Sequence, residues 1–343
     1  MATAPLTTVL IDTYNYGRFI EQAIDSVLAQ EFPQEQLEII VVDDGSTDDT
    51  AERVKRYGSR IKYLYKQNGG QASAFNAGLA HARGEYICLL DADDYFLPGK
   101  LSRVYEAFQA NPDVGMIYHK LPQMHMDGTM APAPGFQVLN GFLPADKRKL
   151  ASYSAHQTSC LAFRRRALQE LLPAPESMRI QADAYLELVA VLITPVLGIP
   201  EELAIYRIHG NNLCATDVMD SSRDGAERLL RSTGIVITEV EGWIHAHRQR
   251  IGRVNAQRLL NRMMLPVTER QFEFNVPNRL SYFVLLLRRN YTFSPMQSWR
   301  VTTFKYLTAF AGLFFGYKTC RRLMAWGRKN LSIVREQGTQ ADL

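Results

Sequence analysis

Short apolar runs alternate with apolar stripes at helical spacing over the first 120 residues. Residues 9–11 read as a buried strand. Phe19, Ile20, Ala23, Ile24, Val27 and Leu28 then recur as one face of a helix does. The β-branched run "LEIIVV" (37–42) predicts a second strand. Ser46 and Asp49 predict a capping box for a helix reaching Val54 and Tyr57. A strand over 61–65, a helix over 72–82 and a strand over 86–90 follow. Leu101, Val104, Tyr105 and Phe108 mark a further helix, stopped at Asn111-Pro112 because a proline steers the preceding residue out of the α region. A strand over 114–118 closes the run. Repeated strand–helix units with near-continuous apolar strands predict an α/β fold around a largely parallel sheet. In such sheets ligands bind beyond the carboxyl ends of the strands.

The pattern then changes. Residues 120–160 are rich in proline, glycine and polar side chains and predict a long loop or lid with room for short strands. Segments 164–172 and 182–191 read as helices and 203–207 as a strand. Beyond about residue 220 the apolar positions (Leu229, Leu230, Ile235, Ile237, Trp243, Leu259, Leu260, Met264, then 282–287) are helical, and "EQGTQADL" reads as a frayed end. Charge changes with the pattern: residues 1–230 carry 21 Lys/Arg against 29 Asp/Glu, and residues 231–343 carry 18 against 6. A tail this basic is suited to something anionic. Cys88, Cys160, Cys214 and Cys320 form no CxxC pair, which excludes a sequence-local zinc motif and fits a reducing compartment. "MATAPLTTVLIDTYNYG" has no basic stretch followed by an apolar one, so no signal peptide is expected. The longest apolar stretch, "YLTAFAGLFFGY" (306–317), is too short to cross a bilayer as a straight helix.

Acidic residues fall at two of the predicted strand ends. In "VVDDGS", Asp43 and Asp44 are followed by Gly45 and Ser46, which let the chain turn. This is either a turn with a helix cap or a carboxylate placed to accept from a base edge or ribose hydroxyl. In "LLDADD", Asp91, Asp93 and Asp94 follow an apolar strand. Three carboxylates within four residues repel one another, and a shared divalent cation would cancel that repulsion. Mg²⁺ and Mn²⁺ take oxygen ligands and bridge to phosphates. The plainer alternative is a solvated acidic turn. Two acidic strand ends, about fifty residues apart, favour the site.

The blocks "VLIDTYNYGRFIEQAIDSVLAQ", "IIVVDDGSTDDT", "NGGQASAFNAGLAHARGEYICLLDADD" and "YRIHGNN" resemble family-2 glycosyltransferases of the GT-A fold, in order and spacing. The resemblance covers roughly residues 7–120 and continues in patches to about 212. It implies a Rossmann-like, mostly parallel sheet flanked by helices over 1–220, with a nucleotide-binding half (1–120) and an acceptor half (121–220). A helical, basic region follows over 221–343. It also implies a nucleotide-diphosphate sugar donor (a UDP-sugar being commonest), a Mn²⁺ or Mg²⁺ cofactor, inversion at the anomeric carbon, and a glycan or lipid-linked acceptor. Carried over by residue, Thr13 and Asn15 lie beside the nucleotide, and Asp44 with Asp43 holds the base or ribose. Asn68, Gly70 and Gln71 line the nucleotide pocket with Asn76 at the following helix. Asp91 and Asp93 match the DxD pair, Asp93 being the direct metal contact. Asp12 departs from the family, which usually has a small residue or proline there.

Inverting transfer needs a general base for the acceptor hydroxyl. The family supplies an Asp at a helix start, and "MRIQADAYLEL" offers Asp183, with Glu187 one turn later. A helix-start Asp is also favoured by the dipole alone. The family's frequent Glu-Asp is Ala182-Asp183 here, so a second acidic partner is missing. In "YRIHGNN", His209 reads as a metal ligand or diphosphate contact and Arg207 as a diphosphate contact. His119, His125 and His156 lack metal-ligand spacing. Arg164, Arg165 and Arg166 read either as a solvated helix start or as a holder of an anionic acceptor.

The tail interleaves cations and aromatics such as Tyr282, Arg288, Trp299, Lys305, Phe314, Arg321 and Trp326. It reads either as an interfacial face on anionic membrane lipid or as a helical subdomain packed on the core. No nucleic-acid motif is present. The expected location is the cytoplasm, extending to the inner face of the cytoplasmic membrane. Two rival readings are a nucleotidylyltransferase, disfavoured because "DTYNYGRF" lacks that class's glycines, and a non-catalytic scaffold of the same fold.

Overall fold

The computed structural model describes residues 6–133, 136–210, 212, 223–249 and 251, with scattered positions between 303 and 323. The chain divides into two units, Met1–Met264 and Leu265–Leu343. In the second unit the described positions are helical, with Thr308 buried and Leu307, Phe310 and Phe314 exposed. The expected helical positions Leu259, Leu260, Met264 and 282–287, and most of the tail's cations and aromatics, lie outside the described residues. Among described residues no helix is long and apolar enough to cross a membrane.

The first unit holds strands β1 (Thr7–Thr13), β2 (Leu37–Asp43), β3 (Lys62–Tyr65), β4 (Tyr86–Asp91), β5 (Tyr95–Phe96) and β6 (Met116–Lys120). These are followed by β7 (Gln123–His125), β8 (Met130–Ala131), β9 (Asn140–Gly141), β10 (Leu161–Arg164), β11 (Val196–Glu202) and β12 (Ala204–Ile208). Its helices are α1 (Gly17–Leu28), α2 (Thr50–Lys55), α3 (Gln71–Leu79), α4 (Lys100–Ala110), α5 (Lys147–Ser152), α6 (Arg165–Gln169), α7 (Ala182–Ile193) and α8 (Arg223–Ala246). The main sheet runs β3-β2-β1-β4-β10-β6-β11-β9, and a smaller one runs β5-β12-β7-β8. In the main sheet only β10 and β9 run against the other strands. This is the expected α/β fold with a mostly parallel sheet.

The central strands are apolar throughout because both faces are covered: Val9, Leu10, Ile11, Ile40, Val41, Val42 and Ile87–Leu90 are fully buried. Helix α3 lies so close to β1 that a Cβ on Gly78 would come within 2.3 Å of Leu10 Cδ1. Register then aligns the acidic ends. Asp12 pairs with Asp91 across β1 and β4, and Thr13 pairs with Asp43 across β1 and β2. In-register neighbours share a face, so the carboxylates of Asp12 and Asp91 stand side by side.

Three expectations need correction. Ser46 does not cap a helix. Its hydroxyl accepts the Asn15 N–H at 2.8 Å, and α2 starts only at Thr50, whose N–H is bound at 3.0 Å by Asp48. The helix expected over 164–172 starts one residue later, at Arg165, and Arg164 instead ends β10 (Leu161–Arg164) in the middle of the sheet. Arg164 neither starts a solvated helix nor faces an acceptor. Its buried guanidinium donates to Glu85 Oε1 at 2.6 Å and to the carbonyls of Phe108 and Val114. Strand β11 went unread because Gly198 and Pro200 interrupt it.

Candidate active site

At the carboxyl edge of β1, β2 and β4 lies a cleft of about 550 Å³. Thr13, Asn15, Asp44, Asn68, Gly70, Gln71, Asp91, Asp93 and Asp183 all line it, together with Asp12. Four residues expected there do not: Asp43, Asn76, Arg207 and His209.

The loops after β1, β2 and β3 are built by internal hydrogen bonds. Asn15 sits in left-handed backbone (φ 59°), and its side-chain oxygen accepts the Thr47 N–H at 2.8 Å, tying the loop after β1 to the loop after β2. The Asp44 carboxylate accepts from Lys66 Nζ at 2.7 Å and from the N–H groups of Gly69 and Gly70 at 2.9 and 2.6 Å. It thereby fixes the entry to α3. Gly70 is required there: its φ is +89°, and a Cβ would stand 2.5 Å from Arg179 Cα. Asp43, fully buried, spends its oxygens on the Ser46 N–H and the Tyr63 hydroxyl, both at 2.7 Å. Asn76 makes two 2.8 Å bonds to the backbone of Ala174, pinning α3 to the segment before α7.

Asp91, Asp93 and Asp94 bring one oxygen each within 4.8 Å of one another. Burial, then the carboxylates of Asp12, Asp94, Asp93 and Asp183, push Asp91 well above the carboxylate range. Burial, with Asp183 and Asp93 adding, pushes Asp12 up to about 7. Asp12 Oδ1 is buried with no hydrogen-bond partner. An all-oxygen donor set, crowded with negative charge and holding an orphan oxygen, fits a hard divalent cation. Asp94 faces inward: Ser159 Oγ donates to it at 2.5 Å and the Arg207 N–H at 2.9 Å. That leaves Asp91 and Asp93 as the cleft-facing pair.

His209 stands behind Asp93. Its Nε2 is 2.8 Å from Asp93 Oδ2, and Arg18 lies 3.2 Å from its Nδ1. The Asn212 amide reaches the same carboxylate oxygen at 3.4 Å. Arg207 gives its backbone N–H to Asp94, while its guanidinium donates to Gln22 at 2.8 Å over the Phe19 ring.

Asp183 opens α7 on the far wall. Thr158 Oγ1 donates to it at 2.9 Å and the Ala184 N–H at 2.8 Å, yet burial pushes its carboxyl up to about 6. Glu187 is fully buried and faces away from the cleft. It accepts from the Tyr153 hydroxyl, from the His156 N–H at 2.7 Å, and lies 2.6 Å from His156 Nδ1. It therefore anchors the segment that delivers Thr158.

Sequence reasoning missed Thr158, Ser159, Arg179 and Asn212. Ser159 bridges the triad, accepting the Asp91 N–H at 3.1 Å while donating to Asp94. Its carbonyl is held at 2.6 Å by Lys100, a buried ammonium whose pKa burial lowers to about 8. Thr158 and Ser159 lie just before β10, the unread strand, and no spacing links them to the acidic motif.

Fold and cleft together define the GT-A architecture, a mostly parallel sheet with an acidic cleft at its carboxyl edge. Residues 8–172 match the family model described as Glycosyl transferase family 2. That match, to just under half of the chain, and the relatives that follow support a family-2 glycosyltransferase. An uncharacterized glycosyltransferase of Nostoc sp. is 36% identical over 212 residues, covering 60% of this chain and 65% of that protein. One of Rickettsia prowazekii is 44% identical over 98 residues, 29% of this chain and 30% of its own. The chain thus spans less than two thirds of the length of these curated relatives. Among solved structures, S. aureus TarS 1-349 in complex with UDP-GlcNAc superposes with a TM-score of 0.57 at 18% identity, covering 92% of this chain and 83% of that one. The mannosyltransferase PcManGT from Pyrobaculum calidifontis, in complex with GDP-Man and Mn²⁺, gives 0.50 at 18% identity, covering 91% and 88%. At this identity the likeness is one of fold.

Proposed function

We propose that the chain is an inverting, metal-dependent glycosyltransferase moving a sugar from a nucleotide-diphosphate sugar to a hydroxyl of a glycan or lipid-linked acceptor. The observation that carries this reading is a single cleft in which Asp91 and Asp93 face Asp183 across a volume of about 550 Å³. Asp91 and Asp93 would hold Mn²⁺ or Mg²⁺, which when bound supplies positive charge for the donor's diphosphate.

The chain's own residues do the rest. Thr13, Asn15, Asp44, Asn68, Gly70 and Gln71 hold the nucleoside. Asp183 takes the proton from the acceptor hydroxyl: a carboxyl raised to about 6 is ionised at neutral pH and more basic than an ordinary one. Thr158 aims it by a hydrogen bond. His209 and Arg207 act through the carboxylates of Asp93 and Asp94 rather than on the donor itself. Residues 1–220 form the transferase domain. The basic region 221–343 brings the enzyme to an anionic membrane surface on the cytoplasmic side.

Calorimetric titration with UDP, GDP, dTDP and CMP, in Mn²⁺ or Mg²⁺ and then in EDTA, tests the reading. Metal-dependent binding of one nucleotide supports it and names the base. Binding of none by folded protein would reduce the chain to a scaffold. Full transfer by Asp93→Ala would remove the metal role, and by Asp183→Asn the base.

A further inference from the structure

A second cavity, of about 540 Å³, adjoins the cleft. It lies between α8 and the segment leading into α7, and shares Arg179 and Ile180 with the cleft. Arg179, Arg228 and Arg231 line it, with Ser177 and Ser232, and no carboxylate lines it. Among the described residues neither Arg228 nor Arg231 forms an ion pair. The Arg179 guanidinium donates to Asn68 Oδ1 on the cleft side, while the exposed guanidiniums of Arg228 and Arg231 are forks that match phosphate and carboxylate oxygens.

The groove is also coupled to the proposed base. Gln181, two residues before Asp183, sits in left-handed backbone (φ 64°). Its side-chain oxygen accepts from Ser232 Oγ at 2.9 Å and Thr233 Oγ1 at 3.2 Å, both on α8. The helix carrying two of the arginines is therefore bonded to the turn that presents Asp183. A non-glycine residue in that conformation is held only where its surroundings determine it.

We propose that this groove is the acceptor subsite and that the acceptor carries a phosphate or carboxylate next to the hydroxyl that receives the sugar. The inference rests on the transferase reading, since it places the acceptor on the Asp183 side of the cleft. An anionic group among Arg179, Arg228 and Arg231 would bring the neighbouring hydroxyl to Asp183. The anion belongs to a soluble sugar phosphate or to a lipid headgroup, and both present the same oxygens.

The full-length chain is first saturated with the nucleotide it binds, in Mn²⁺. It is then titrated with glucose 1-phosphate and with glucose, and sedimented with phosphatidylcholine vesicles with and without phosphatidylglycerol. The same series is run on Arg228→Gln/Arg231→Gln, whose folding is checked by thermal melting. Arg228→Lys/Arg231→Lys is the charge-retaining control. Preference for glucose 1-phosphate over glucose, weakened about tenfold in the Gln variant and recovered in part by Lys, supports the proposal with a soluble acceptor. Phosphatidylglycerol-dependent sedimentation lost in the Gln variant supports it with a lipid source. Binding that the Gln variant leaves unchanged, or no binding of sugar phosphate or vesicle, overturns it while the nucleotide titration stands. Failure of the nucleotide titration itself overturns the transferase reading instead.

Discussion

Replacing Asp44 with asparagine separates two roles that one carboxylate combines. Its oxygens receive Lys66 Nζ and two peptide N–H groups within 2.6–2.9 Å, and the side chain is nearly buried. In Asp44→Asn the remaining carbonyl oxygen keeps the donors on one side, but an NH₂ now faces the Gly70 N–H. A buried donor without a partner costs about 1–3 kcal/mol, and the charge component lost from the Lys66 bond adds about 1 kcal/mol. The expected destabilisation is about 3 kcal/mol, which lowers the melting midpoint by roughly 6–12 °C for a domain of this size. Because Gly69 and Gly70 lead into the cleft, nucleotide affinity should fall more than tenfold in the same variant. Thermal melting and calorimetry on one preparation read both. A shift below about 2 °C with unchanged nucleotide binding would refute the account of Asp44 as the organiser of this loop.

Four further outcomes follow from the site. An Asp183 carboxyl at about 6 is a neutral acid below that pH and a base above it, so kcat/KM should fall as pH drops through 6; a profile flat to pH 5 removes Asp183 from the role. Asp12 holds its proton in the folded state up to about pH 7, against 3.8 ordinarily, so its contribution to stability is lost as pH rises through 7. Asp12→Asn should therefore raise the melting midpoint at pH 8 in EDTA and change it little at pH 4. Saturating Mn²⁺ at a hundred times its dissociation constant should stabilise the wild type by about 2.7 kcal/mol, and Asp93→Ala should abolish that gain in a melting series. Gly70→Ala, forced to positive φ against Arg179, should cost about 1–3 kcal/mol in urea unfolding.

The first 120 residues were legible because their strands announce themselves. "LEIIVV" and "YICLL" are buried on both faces and cannot be mistaken for amphipathic helices. The acidic residues following them then fall at the sheet edge by register alone. What lay outside reading was partnership. Asp43 and Asp44 are neighbours in sequence, but strand alternation turns one into the turn and the other towards the cleft. Asn76 points to Ala174, nearly a hundred residues away. His209 meets Asp93 across 116 positions. Such pairings depend on crossovers that no local pattern encodes. Strand β10 shows the same limit: three apolar residues before an arginine cluster suit a helix approach as well as a reversed central strand.

That reversed strand also sets the order in which the chain can be assembled. Strand β4 needs β10 on its open side, and β6 needs β10 and then β11. When ribosomal synthesis has delivered only the first 120 residues, β4 is a bare hydrogen-bonding edge, open to pairing with any other extended chain. Some forty further residues must emerge before Leu161–Arg164 closes it. The same closing step brings Ser159 onto Asp94 and Asp91, and Thr158 into place for Asp183, which follows on α7. The carboxylates of Asp91 and Asp94 thus stay hydrated until β10 docks, and burial then sharpens their mutual repulsion.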